Sequence, residues 1–515
     1  MRLAWAGTAY DHEIEYGSKS MRFASDILNN QEIIVPEFLY QSSKLPKFFP
    51  ISHYSSLPQL PINQRFNPNI QITNFLSGRH LLRDEIPFSL QDLHAHYVNG
   101  YLQLEPGIQT LHGKMMCMRC GSHTFSTFSC ARCQSASCQY CRNCIIMGKV
   151  TSCSPLYSAP SCQYKAIENI TLKWSGKLSE GQREASNAVI SAIKNNHSVL
   201  IWAVCGSGKT EVLFHGLAHA LSHHKSVCIA TPRTDVVLEL APRLQKVFPG
   251  LTVSPLYAGH SDPISSLVIS TTHQLIRFKE CFDVMIIDEV DAFPYSVDPS
   301  LHFHVNKARK QSGSLIYLTA TPSESFLNQE TLNVVRIPSR YHGYPLPVPT
   351  FKWSGNWRKK IEKRQIPYVL VDWIKEQMDA QKPVLLFFPS IKIIKKVKSI
   401  FDEQQLSCEA VHSEDPNRAE KVLQFRRREI PILLSSTILE RGITIENIAV
   451  AVLGAEDGVF TESALVQIAG RAGRSASYPE GEVVFFHYGK TNAMVAAVRH
   501  IRKMNQEAEE RGWLH

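Results

Sequence analysis

The run Ala203-Val204-Cys205-Gly206-Ser207-Gly208-Lys209-Thr210 follows the apolar stretch Val199–Val204 and precedes a helix-compatible segment, Glu211 to His224. Small residues let backbone N–H groups curl around a phosphate, and the start of the following helix adds the positive end of its dipole. In that setting Lys209 would reach the β and γ phosphates and the Thr210 hydroxyl would ligate Mg²⁺. The loop opens on Ala203 where the usual formula has Gly, a modest departure. An acidic partner follows at Val284-Met285-Ile286-Ile287-Asp288-Glu289-Val290-Asp291. Four apolar residues predict a buried strand, with the acids emerging at its C-terminal edge, where open α/β sheets hold their ligands. Asp288 would hold the Mg²⁺ through water, and Glu289 would orient and deprotonate the attacking water. Together the two motifs point to hydrolysis of a nucleoside triphosphate.

Outward from this loop the text alternates apolar strands with helical segments. Strand-like runs fall at Val199–Val204, Val227–Ala230, Leu267–Ser270, Val284–Ile287 and Leu315–Leu318. A Pro-rich stretch, Ile337 to Pro349, then reads as a linker. A second set follows at Val384–Phe388, Glu409–His412, Ile432–Ser435, Val450–Leu453 and Val483–Phe486. Strands separated by helices build parallel sheets covered on both faces, so two α/β domains side by side are expected. Ahead of them, Gln41–Thr73 carries five prolines and no sustained period and reads as a loose extension. From Arg79 the pattern becomes helical, through Arg79-His80-Leu81-Leu82 and then Leu90, Leu93 and Tyr97. The expected division is an extension over residues 1–76, a helical prelude with a cysteine-rich domain over 77–174, and two lobes over 175–344 and 345–515.

At 515 residues the chain has room for about three domains. A hydrophobic content of 44% excludes a largely disordered, collagen-like or coiled-coil protein. No apolar run approaches the ~18–20 residues that span a bilayer, and Met1 to His12 lacks an apolar signal core, so a soluble protein without a cleaved address is expected. The net charge of +9 is mild, but 12 Lys/Arg against 4 Asp/Glu lie between Phe351 and Ile400, which permits a polyanionic partner.

The remaining motifs separate a motor from a kinase or a switch. Gln182, in Leu178-Ser179-Glu180-Gly181-Gln182, can read an adenine edge or simply close a helix start capped by Ser179. Thr319-Ala320-Thr321-Pro322 follows a strand and could couple hydrolysis to the neighbouring domain. Gln467-Ile468-Ala469-Gly470-Arg471-Ala472-Gly473-Arg474 places two guanidiniums three apart on one turn. Supplied across a cleft, such an arginine stabilises the charge of a transferring phosphoryl group by roughly 10³–10⁵ in rate. Arg474 is the first choice for that finger and Arg471 the second.

In this order, with Ala230-Thr231-Pro232-Arg233, Ser270-Thr271-Thr272-His273-Gln274 and Thr437/Arg441-Gly442 between them, the motifs resemble a superfamily 2 helicase. That resemblance implies two RecA-like lobes closing on ATP and tracking a nucleic-acid backbone. It also implies that Thr231, Pro232, Arg233, Thr272, His273, Gln274, Thr437, Arg441 and Gly442 line the strand groove, and that Thr319, Ala320, Thr321 and Gln467 couple the lobes. Hydroxyls, backbone N–H groups and Arg contact phosphates without reading sequence. The acidic motif reads Asp-Glu-Val-Asp, which disfavours an RNA-remodelling DEAD-box protein.

Nine of thirteen cysteines fall between Cys117 and Cys162, a clustering that suits thiolates holding metal more than disulfides. Cys117-Met118-Arg119-Cys120-Gly121 is a metal knuckle. Spacing leaves two sets open: Cys117, Cys120, Cys130 and Cys133, or Cys117, Cys120, Cys141 and Cys144. The second would leave Cys130, Cys133, Cys138 and either Cys153 or Cys162 for another ion. Four thiolates bind Zn²⁺ with no open coordination position, so the role is structural. Such a module would present Arg119, Arg132, Arg142 and Lys149 to nucleic acid.

A cysteine module directly before a superfamily 2 motor, with Ser77-Gly78-Arg79-His80-Leu81-Leu82, Tyr140-Cys141-Arg142-Asn143-Cys144, Ile201-Trp202-Ala203-Val204-Cys205-Gly206 and Asp288-Glu289-Val290-Asp291-Ala292-Phe293-Pro294, resembles the ComFA family of late-competence ATPases. The resemblance runs from about Ser77 to Asn505. It implies zinc on Cys117, Cys120, Cys141 and Cys144, and an α/β fold of two RecA-like parallel-sheet lobes preceded by a small zinc-binding domain. It further implies ATP-driven movement of incoming single-stranded DNA at the inner face of the membrane uptake channel, a cytoplasmic and peripheral location, and the partners ComFC and DprA. The alternatives are a PriA-type replication-restart helicase and a non-motor ATPase scaffold. The first is disfavoured because its cysteines lie between motor motifs, whereas here they precede the phosphate loop.

Overall fold

The parallel strands of the motor read as near-continuous apolar runs because both faces of each sheet are covered. Val199, Leu200 and Ile201, and likewise Val284 to Ile287, are fully buried. In the computed structural model, which describes residues 20–28, 31–40, 46–54, 57, 59–160, 170–261, 264–439 and 445–515, these runs form two sheets. The first has eight strands in the order His260–Ser261, Val253–Tyr257, Leu267–Thr271, Val227–Thr231, Phe282–Asp288, Arg309–Thr319, Ser198–Ala203 and Asn333–Ile337. Its registered pairs are parallel except the edge pair of Val253–Tyr257 with His260–Ser261. The second sheet is parallel throughout, in the order Thr350–Trp353, Val483–His487, Ala449–Leu453, Val384–Phe387, Ile432–Ser435 and Glu409–Val411. The expected α/β fold with RecA-like lobes is the fold found.

The chain divides into two compact units. One gathers Tyr164–Gln274, Phe282–Asp298 and Gln311–His515, and so holds both large sheets. Within it the lobes share apolar packing: Trp202 and Val204, from the first sheet and its exit, join a cluster otherwise built from the second lobe and the linker. Trp357 and Trp373 are buried in the second lobe, and their indole N–H groups donate to Glu456 (2.7 Å) and Glu482 (2.5 Å), which satisfies the one polar atom of each ring.

The other unit gathers Met1–Gln163 with two excursions of the motor chain, Leu275–Cys281 and Pro299–Lys310. Its antiparallel sheet runs His80–Leu82, Pro155–Ser158, Gln103–Pro106, and two hairpins follow, Ile108–Leu111 with Lys114–Cys117 and Phe125–Cys130 with Ser135–Cys141. Arg79-His80-Leu81-Leu82, expected to be helical, contributes a strand. All three of its strand residues are buried, so the alternation that marks a strand is missing from the sequence. Within Gln41–Thr73 the described residues hold the short turn Ile51–His53 and the start of one helix, and regular elements flank the stretch. Phe23–Leu28 pairs with Gln31–Pro36, and the helix Ile70–Leu76 is capped by Asn69, whose side chain accepts from Gln71 N. Among the described residues no helix is long and apolar enough to cross a membrane.

Candidate nucleotide site and cysteine clusters

The phosphate loop leaves the strand Ser198–Ala203 and enters the helix Lys209–Ser222. Gly206 and Gly208 have φ of +83° and +75°, a region that admits glycine at little cost. A Cβ on Gly208 would also come within 2.3 Å of Gln182 Nε2. Lys209 and Thr210 are half-buried at the helix start, and Val204 and Cys205 are buried before it. Ser207 is fully buried, and its hydroxyl has no partner among the described residues. An orphaned hydroxyl within a loop of positive-φ glycines at a helix N-terminus fits a phosphate ligand. Gln182 is already engaged. Its Oε1 accepts from Ser179 N at 2.8 Å, closing a capping box, and its Nε2 donates to Ser207 O at 2.7 Å. Here the side chain braces the phosphate loop, and reading an adenine would require exchanging these bonds.

Asp288 ends its strand, and Glu289 stands beside it at φ +57° with its amide donating to Asp288 Oδ1 at 2.9 Å. The residue that sequence reasoning left without a role is Asp291. Its carboxylate accepts from Thr319 Oγ1 (2.6 Å), Thr321 Oγ1 (2.6 Å) and, from the facing lobe, Ser463 Oγ (2.9 Å). The Thr319-Ala320-Thr321 turn is thereby fastened to the acidic motif, and Ala320 O also accepts from Trp202 Nε1 at 3.0 Å.

From the second lobe the helix Glu462–Ala469 runs onto the phosphate loop. Cys205 Sγ donates to Gln467 Oε1 at 3.0 Å, and a Cβ on Gly470 would lie 2.4 Å from Cys205 Cβ. Only glycine permits that approach. Arg471 is buried, and Arg474 Nε donates to Gly470 O at 2.8 Å. Burial and then the Arg474 guanidinium push Arg471 well below the ordinary arginine value, against the pull of Cys205 and Glu289. A buried cation disfavoured in this way gains from an incoming anion.

Arg340, on the linker, was not anticipated. It is 1% exposed, its stem lies against Gly206, and its guanidinium donates to Ala472 O (2.7 Å) and to Gly473 O. Tyr341 N donates to Gly206 O at 3.2 Å. The linker therefore ties the phosphate loop to the arginine-bearing turn, a long-range contact with no local sequence signal.

The residues expected to meet nucleic acid leave the ends of neighbouring strands. Thr231 and Thr271 are register partners, Pro232 and Arg233 follow the first, and Thr272, His273 and Gln274 begin the short helix Thr272–Arg277. Thr231 and Thr272 are buried with hydroxyls that have no partner among the described residues. Arg233 donates to Ile438 O at 2.7 Å, so it spans to the other lobe beside Thr437. Arg441 and Gly442 lie outside the described residues.

Among the described cysteines, Cys117, Cys120, Cys141 and Cys144 come together, all buried and with sulfurs within 4.8 Å of one another. Cys117–Cys144 and Cys120–Cys141 are 3.7 and 3.5 Å apart. A zinc tetrahedron with bonds of ~2.3 Å has edges of about 3.8 Å, so the four sulfurs fit one ion. Gly121 turns the knuckle at φ +74°, where a Cβ would meet the Phe303 ring at 2.6 Å. Arg119 departs from expectation. It is fully buried, donates to both carboxylate oxygens of Glu85 (2.7 and 2.6 Å) and donates to Met147 O, so it supports the knuckle, whereas Arg132, Arg142 and Lys149 are exposed. A second group, Cys130, Cys133, Cys138 and Cys153, is also buried and mutually close. Cys162 lies outside the described residues.

Comparison with known proteins agrees with this geometry. Residues 64–158 match the competence protein ComFA N-terminal domain, 175–324 the type III restriction enzyme res subunit, and 365–476 the helicase conserved C-terminal domain. The chain is 48% identical over 452 residues to competence protein ComFA of Bacillus subtilis (strain 168), covering 87% of this chain and 97% of that one. It is 36% identical over 411 residues to competence protein ComFA of Streptococcus pneumoniae (strain ATCC BAA-255 / R6), covering 78% and 93%. The DEAD-box helicase Mss116, solved with single-stranded RNA and UDP-BeF, shares the fold at 15% identity and a TM-score of 0.50, over 67% of this chain and 84% of that one. With its cysteine-rich N-terminal unit and a helicase-type ATPase core, the chain belongs to the ComFA family of competence proteins.

Proposed function

We propose that this chain is an ATP-driven translocase that draws single-stranded DNA into the cytoplasm during competence, working at the inner face of the uptake channel with partners of the ComFC and DprA kind. The observation that carries the reading is the triple acceptance by Asp291, which links the acidic motif to Thr319 and Thr321 in one lobe and to Ser463 in the other. Through that link a change at the hydrolysis site becomes a displacement between lobes.

The roles follow from the chemistry of each position. Lys209 and the loop amides from Ala203 to Thr210 bind the phosphates, and Thr210 and Asp288 hold Mg²⁺. Glu289 orients water and takes its proton, and Arg474 and Arg471 face the phosphoryl group from the second lobe. The metal, when bound, neutralises phosphate charge. Thr231, Pro232, Arg233, Thr272, His273, Gln274, Thr437, Arg441 and Gly442 contact the strand backbone, giving binding that is indifferent to sequence and weakens with salt. Zinc on Cys117, Cys120, Cys141 and Cys144 holds the N-terminal unit's fold, and we place the boundaries of the extension, cysteine domain and two lobes at residues 76, 174 and 344.

An ATPase assay comparing single-stranded DNA, duplex DNA and RNA tests the proposal. A rate that rises steeply with single-stranded DNA and weakly with the others supports it. A rate indifferent to all three would leave a scaffold ATPase in its place.

A further inference from the structure

The second cysteine group is built by the fold as carefully as the first. Cys130 and Cys133 sit at the turn between the strands Phe125–Cys130 and Ser135–Cys141, Cys138 lies on the returning strand, and Cys153 comes from the loop before Pro155–Ser158. A register shift between Phe128 and Cys130 interrupts the hairpin at the first of them. Their sulfurs lie within 4.8 Å of one another, with Cys130 and Cys153 at 3.8 Å, the edge of a tetrahedron around one ion bound at ~2.3 Å. A disulfide requires about 2.05 Å and would leave two of the four unused.

The ordinary alternative is that these are core thiols, since free cysteine is among the most buried residue types. The surroundings do not support it. Among the described residues the apolar cluster at this place consists of the four cysteines, with Met21 and Phe128 packed at its edge and no aliphatic core for them to join. The knuckle also carries polar support of the kind that metal-bound thiolates receive. The Thr151 hydroxyl stands 3.2 Å from Cys153 Sγ.

We infer that Cys130, Cys133, Cys138 and Cys153 form a second structural zinc site, and that its ion anchors the N-terminal segment. The two loops that carry the ligands are where that segment is tied. Met21 N donates to Arg132 O at 2.8 Å, Arg22 Nη1 to Gln134 Oε1 at 2.9 Å, and Ser52 N to Ser152 O at 3.1 Å. Ligands of the two sites interleave along the chain, so the Phe125–Cys141 hairpin is clamped by one ion near its base and by the other at its turn. Zinc binding by four thiols displaces their protons and adds its free energy to folding of the loops that hold them.

The test is metal content of the full-length protein. Wild type should carry about two zinc ions per chain, one for each four-sulfur group. Cys138→Ser and Cys153→Ser should each lower this to about one, with faster proteolytic cleavage within residues 20–54. Cys117→Ser combined with Cys138→Ser should remove both ions. Because a serine variant can misfold, wild-type protein stripped of zinc is also titrated with Co²⁺. Sulfur-to-metal charge-transfer absorbance that saturates near two equivalents supports the second site. Saturation near one equivalent, or a single zinc in wild type that Cys138→Ser retains, overturns it.

Discussion

Ser463 Oγ of the second lobe donates to Asp291 Oδ2 of the first at 2.9 Å, while Thr321 Oγ1 lies 2.7 Å from the same serine oxygen. The acid three residues beyond Asp288 is thus shared between lobes. A hydrogen bond to a charged group contributes about 1.5–3 kcal/mol, enough to bias a conformational equilibrium ten-fold or more. Ser463→Ala is expected to lower the single-stranded-DNA-stimulated ATPase rate by roughly ten-fold. Steady-state assays with and without DNA check this, and full stimulation in the variant would remove the link from the account.

Arg340 makes a different prediction. Its fork onto Ala472 O and Gly473 O holds the turn that carries Arg471 and Arg474, so it acts as a positioning residue. Arg340→Ala should lower kcat by about ten-fold or more with little change in nucleotide affinity, the pattern of an interaction realised mainly in the transition state. Lys has one ammonium for two carbonyls and should restore part of the rate. An alanine variant within about two-fold of wild type in kcat would refute this role.

Lys209→Ala is expected to abolish hydrolysis while single-stranded DNA binding persists, since the strand contacts are assigned to other loops. Fluorescence anisotropy alongside ATPase assays separates the two. Loss of both in a folded variant would contradict that division.

Acid should loosen the N-terminal unit through His80. The ring is 1% exposed; it contacts Glu105 Oε2 at 3.0 Å through Nε2 and Lys307 Nζ at 3.2 Å through Nδ1. Burial first, and the Lys307 charge second, push it down to about 3 from 6.5, against the pull of Glu105. The unfolded chain therefore takes up a proton near pH 6.5 that the folded unit refuses until about pH 3. The contribution is complete above pH 6.5 and is lost as pH falls, by up to about 1.4 kcal/mol per pH unit. His80→Gln, which can donate and accept in the same places, should flatten the fall in Tm between those limits at equal zinc content. Identical slopes in variant and wild type would show that His80 contributes nothing.

What the sequence made legible was local structure carried by contiguous residues. The phosphate loop stands on a strand-to-helix turn, the acidic pair at a strand end and the paired arginines on the turn after the helix Glu462–Ala469, each within a few residues where spacing implies placement, and apolar runs marked the strands of both sheets. What stayed hidden joins distant parts. Asp291 meets Ser463 across 172 residues and Arg340 meets Gly473 across 133, and neither pairing has a local pattern. Cysteine spacing left two zinc sets open because Cys130 and Cys133 form an equally good knuckle. The hairpin settles their geometry by carrying that knuckle toward Cys153. His80–Leu82 read as helix because burial of all three residues erases the strand's alternation.

In the proposed mechanism an arginine of the second lobe completes a hydrolysis site built by the first. Its most direct test is single-turnover ATP hydrolysis by Arg474→Ala in the presence of saturating single-stranded DNA. The expected rate is lower by roughly 10³-fold or more with nucleotide binding retained, and a rate within about ten-fold of wild type would rule out Arg474 as the finger.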